Sequence, residues 1–86
     1  MPNSVHVETP DLNSAGELRQ QLLDFDSSLV PLTDGRWKVS AEVFSEGHEA
    51  KMEVDSILGL VQSWLAAQEI ESTTIQLGTK TYVMLQ

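Results

Sequence analysis

The sequence predicts an α+β fold: a two-layer sandwich in which a mostly antiparallel sheet carries two helices on one face. Three observations predict it. With 86 residues the chain fits a single domain over 1–86, and a chain of that size buries only about 60% of its unfolded surface, enough for one core layer. Several short segments alternate apolar and polar residues, and Asp34-Gly35 sits between two of them as a strong hairpin signal. Two other segments repeat apolar residues at helical spacing. Antiparallel strands grouped with amphipathic helices pack as an α+β sandwich. The expected order is β-α-β-β-β-α-β-β. If Glu49–Val54 joins the second helix or a loop, the order becomes a ferredoxin-like βαββαβ arrangement.

The first element is the alternating run SVHVE, with Val5 and Val7 on one side and Ser4, His6 and Glu8 on the other. Pro10 ends it, because proline has no N–H for a ladder. Ser14 and Glu17 then have the spacing of a capping box, and Leu18, Leu22 and Phe25 follow at helical intervals. The expected helix covers about 14–25.

The stretch SLVPLTDGRWKVSAEVF reads as a hairpin. With Asp34-Gly35 as a two-residue loop, Leu32 faces Trp37 and Val30 faces Val39. One face then gathers Val30, Leu32, Trp37, Val39, Ala41 and Val43. Pro31 marks the first strand as an edge. A second turn at Glu46-Gly47 brings EAKMEV back as a third strand, with Ala50, Met52 and Val54 on the Trp37 face and Lys51 opposite Glu42. Asp55 serves as N-cap for a helix to about Gln68, whose face is Ile57, Leu58, Val61, Trp64 and Leu65.

The tail STTIQLGTKTYVMLQ gives two strands turning near Gly78-Thr79. With a three-residue loop, or if the run is one long strand, Ile75, Leu77, Val83 and Leu85 share the core face, and Tyr82 and Met84 go to the other. Phe44, Tyr82 and Met84 then stand together on the uncovered sheet face beside Lys38, Ser40, Glu42, Lys51 and Glu53. A patch of large apolar side chains rimmed by charge marks a protein interface. Scattered singly, the same residues would carry no message.

The remaining chemistry is sparse. Five Lys and Arg against thirteen Asp and Glu give a net charge of −8, and the five cations form no stripe. Phosphate backbones and anionic membrane surfaces therefore repel the chain, so neither nucleic acid nor membrane is an expected partner. Cysteine is absent, which removes disulfides and thiolate sites and suits a cytoplasmic setting, as does a start lacking a basic end and an apolar run.

The segment SEGHEAKMEVD places His48 among Glu46, Glu49, Glu53 and Asp55. In the hairpin reading these acids diverge over turn, strand face and helix cap, so they supply too few convergent ligands for a metal. Asp24 and Asp26 flank Phe25 at a helix end, where acids are ordinarily just solvated. Nucleophile elbows and phosphate-binding glycine loops are missing. Trp37 and Trp64 fall on core faces and read as packing rather than as a ligand pocket.

The sequence thus points to a small acidic module that is not an enzyme, uses no cofactor, and associates with itself or another protein through Phe44, Tyr82 and Met84. Two alternatives are a small-ligand-binding regulatory domain and an acidic inhibitor or antitoxin of a basic protein.

Overall fold

A computed structural model describes residues 3–44 and 46–86. The elements are β1 (Asn3–Thr9), α1 (Leu12–Gln21), a single 3-10 turn (Leu23–Phe25), β2 (Ser28–Pro31), β3 (Trp37–Val43), α2 (Gly47–Gln68), β4 (Ser72–Leu77) and β5 (Lys80–Leu85). The strands form one sheet in the order β2-β3-β1-β4-β5, and every neighbouring pair is antiparallel. The fold is therefore the expected α+β sandwich. Its first four strands have the ferredoxin-like order, and β5 is added as a hairpin on the edge of β4.

Core formation follows from the strand alternation. Val5, Val7 and Thr9 of β1, Val39, Ala41 and Val43 of β3, and Thr73 and Ile75 of β4 are all buried. Against them α1 lays Ala15, Leu18 and the cap residue Leu22, and α2 lays Ala50, Ile57, Val61, Trp64 and Leu65. Polar groups at this face are satisfied. Thr9 Oγ1 donates to the Trp37 carbonyl at 2.8 Å, and Thr73 Oγ1 donates to the Glu8 carbonyl. The Trp64 indole N–H donates to the Ser14 carbonyl at 3.0 Å and joins α2 to the first turn of α1. Trp37 is only partly buried, so the two tryptophans are not equivalent core residues as the sequence suggested.

Four expectations need correction. First, α1 begins two residues before Ser14. Asp11 is the N-cap, and its carboxylate accepts from the Ser14 N–H at 2.7 Å. Asp is as good an N-cap as Ser, and Thr9, which precedes Pro10, is biased toward extended backbone and ends β1 instead of joining the helix.

Second, the β2–β3 hairpin is shifted by one residue. Leu29 pairs with Val39 and Pro31 with Trp37, and the Leu32 N–H donates to the Arg36 carbonyl at 2.8 Å. The loop is thus Thr33-Asp34-Gly35, with Gly35 at φ +85, the left-handed position that a three-residue hairpin loop requires. The shift sends Val30 to the uncovered face and brings Leu29 to the core.

Third, Glu49–Val54 is not a strand. It forms the first turns of α2, which runs unbroken from Gly47 to Gln68. Ala50, Val54, Ile57, Val61, Trp64 and Leu65 continue one helical stripe, while Met52 lies off it and is exposed. Glu, Ala, Lys and Met are good helix formers, which favours the helix over the strand. Glu42 faces no Lys51; its carboxylate accepts from Ser4 Oγ at 2.9 Å. Ser45, within the expected second turn, lies outside the described residues.

Fourth, the β4–β5 loop has two residues. Leu77 pairs with Lys80 and Ile75 with Tyr82, and Gly78 at φ +61 makes the tight turn. This places Tyr82 and Met84 on the helix-covered face and Val83 and Leu85 on the uncovered one.

Candidate interaction surface

β5 is the last strand of the sheet, and among the described residues its ladder pairs with β4 alone, which leaves its outer backbone edge free. Its side chains are apolar on both faces. Tyr82 is 48% exposed, Val83 67% and Leu85 68%. Met84 is partly buried and packs against the core cluster. Lys80 is the strand's one charge. Pro is absent, and no bulge twists the edge away. A long apolar edge with such features is a template for another strand.

Beside this edge runs an apolar groove of about 440 Å³ between β5 and the middle of α2. Val54 and Leu58 form its helix wall, and Leu77, Tyr82 and Met84 its sheet wall. It lies where α2, which touches both β3 and β5, passes the far edge of the sheet. The opposite edge, β2, is unlike it: Pro31 removes a donor and the strand has only four residues.

The three residues expected to share one patch are therefore divided. Tyr82 and Met84 belong to the groove. Phe44, 65% exposed, follows the end of β3, three strands away from β5. The residues missed were Val83 and Leu85. Their alternation was visible, but the loop length that decides which face they take was not.

The uncovered sheet face is otherwise polar. His6 Nδ1 lies 2.7 Å from Ser40 Oγ across β1 and β3. Partial burial, together with the nearby Lys38 ammonium, holds the imidazole below its ordinary pKa, although Glu42 acts the other way. At the hairpin tip Arg36 Nε donates to both oxygens of Asp34, each at 2.9 Å, and its guanidinium also reaches Glu8 at 3.7 Å. That pairing lowers the Asp34 pKa and raises that of Arg36. It lies at the surface and contributes little to stability.

Around His48 the side chains do not converge. Glu46 is the backbone N-cap of α2, His48 and Glu49 are exposed in its first turn, and Glu53 is one turn further on. Among the described residues no group of three or more His, Asp or Glu is placed to hold a metal ion. Nor, among them, is any helix long and apolar enough to cross a membrane.

No protein-family model matches this chain, and no curated protein matches it. Among solved structures it is similar in fold to a phage SAM lyase in complex with S-methyl-5'-thioadenosine, with a TM-score of 0.65 and 8% identity over 99% of this chain and 90% of that one.

Proposed function

We propose that this protein is a non-enzymatic interaction module that self-associates through β5. The observation that carries this reading is the free, apolar β5 edge beside an apolar groove. Two copies related by a two-fold axis would pair β5 with β5 in antiparallel fashion and continue the sheet across the interface. Val83 and Leu85 of each copy would adjoin on one face, and Tyr82 and Met84 on the other. Burying a side chain of this size contributes about 1.5–3 kcal/mol, and several together offset the cost of association. The charges at this edge are few: β5 itself bears only Lys80, and Asp55 is the one acid lining the groove beside it.

Analytical ultracentrifugation tests the proposal. Wild type should sediment as a dimer at micromolar concentration, and Val83→Lys/Leu85→Lys as a monomer with an unchanged far-ultraviolet spectrum. Phe44→Ser should associate as wild type does, since three strand spacings of about 4.8 Å separate it from β5. A monomeric wild type at high micromolar concentration rules the proposal out.

The fold likeness to a SAM lyase favours a second reading, in which the chain acts on a SAM-like small molecule. Incubation with SAM, followed by chromatography of the products, separates the two. Self-association alone predicts no turnover; turnover would put the second reading first.

A further inference from the structure

The groove between α2 and β5 belongs to one copy of the chain, since every residue that lines it comes from α2, β4 or β5. Its volume of about 440 Å³ falls within the range of small-molecule sites, about 300–1,000 Å³. Its chemistry goes beyond strand pairing.

The walls are apolar. Val54 and Leu58 form one row, because residues four apart share a helix face. Leu77, Tyr82 and Met84 form the other, on the helix-covered face of β4 and β5. Tyr82 is exposed and the other four are only partly buried, so the walls keep apolar surface in contact with solvent. Two of these side chains favour an aromatic partner. Rings pack well against the Tyr82 ring, and a thioether such as that of Met84 sits favourably near a ring edge.

The lining carries a single charge, and it is negative. Asp55 follows Val54 in α2 and is exposed at the rim. Lys51 stands four residues before it on α2, and Lys80 shares the helix-covered face with Tyr82 and Met84. Neither lysine lines the groove, and among the described residues neither makes an ion pair with Asp55. An anionic ligand would meet this carboxylate and the field of a chain carrying −8 overall, whereas both attract a cation. A ring with a cationic end therefore matches walls and rim together.

We propose that this groove binds a small aryl-alkylammonium ion. Its ring lies between Leu58 and the Tyr82 and Met84 side chains, and its ammonium reaches the Asp55 carboxylate. Apolar burial supplies most of the affinity. The exposed carboxylate supplies the preference among charges, which is modest because a surface ion pair is weak.

The test is a nuclear magnetic resonance titration of the full chain at low ionic strength with three probes that share one ring system: tryptamine, a cation; tryptophol, which is neutral; and indole-3-acetate, an anion. Tryptamine should shift the amides of Leu58, Tyr82 and Met84 saturably. Tryptophol should bind about threefold more weakly, and indole-3-acetate about tenfold. In Asp55→Asn, tryptamine and tryptophol should bind equally. Absence of saturable shifts at these residues overturns the proposal. So does equal binding of the three probes to wild type, a comparison that needs no variant to fold. Sedimentation of the same samples separates this proposal from self-association: monomers that bind tryptamine uphold the groove site and refute the dimer, and dimers without saturable shifts do the opposite.

Discussion

Replacing Trp64 tests how the two layers are held together. The side chain is 3% exposed, and its indole N–H reaches the Ser14 carbonyl at 3.0 Å. Trp64→Ala removes the ring from a packed site and loses that bond, which should cost about 3–5 kcal/mol. A chain of 86 residues has a total stability of about 4–13 kcal/mol, so the loss is a large share of it. Trp64→Phe keeps an aromatic ring and loses the donor. The Ser14 carbonyl retains its place in the helix ladder, so the hydrogen-bond loss is only about 1 kcal/mol, with a similar amount for lost volume. Trp37→Ala should cost about 1–2 kcal/mol, because that ring is already partly in solvent. Urea unfolding followed by far-ultraviolet circular dichroism measures all three, at matched protein concentration so that association contributes equally. The reasoning fails if Trp64→Ala lies within about 1 kcal/mol of wild type, or if Trp37→Ala costs more than Trp64→Ala.

Two other perturbations have definite signs. Glu69 ends α2 in a left-handed conformation at φ 57, with the Ile70 N–H donating to the Leu65 carbonyl at 3.0 Å. Glu69→Gly should stabilise by about 1 kcal/mol by removing a Cβ penalty and an acid at a helix C-terminus, read as a higher urea midpoint. His6 is harder to protonate in the folded chain than in the unfolded one. The unfolded state therefore takes up the proton first, and stability falls as pH drops below the ordinary value of 6.5. Urea midpoints between about pH 7.5 and pH 5.5 should show this slope in wild type and its loss in His6→Gln.

The layer architecture was legible because burial imposes a periodicity on sequence. Val5 and Val7, Val39 to Val43, and Ile57 to Leu65 each declare their face without help from neighbours. What failed was counting across loops. Asp34-Gly35 gives nearly the same local signal whether the loop has two or three residues, and one residue decides between Val30 and Leu29 for the core. The same ambiguity at Gly78 reversed every side chain of β5, and with it the composition of the candidate surface. In EAKMEV both periods fit a short run. Its helix-forming residues and its continuity with Ile57 and Val61 favour the helix, since a stripe that continues from Ala50 to Leu65 outweighs three alternating positions. The groove was invisible for another reason: its walls come from α2 and β5, and their meeting depends on a register that no local pattern sets.

The central position of β1 has a consequence for synthesis. Val5 pairs with Ala41 on one side and with Leu77 on the other, so residues 3–9 are made before either neighbour and reach the second only after β4 has been made. A nascent chain that has completed α2 can pair β1 with β3, but the other flank of β1 stays bare. Such distant pairings are slow to form and leave unpaired strand surface exposed in the meantime. Emergence of β4 from the ribosome, rather than emergence of β1, therefore sets when the centre of the sheet is completed, and chaperone binding should concentrate on chains stalled between Gln68 and Ser72.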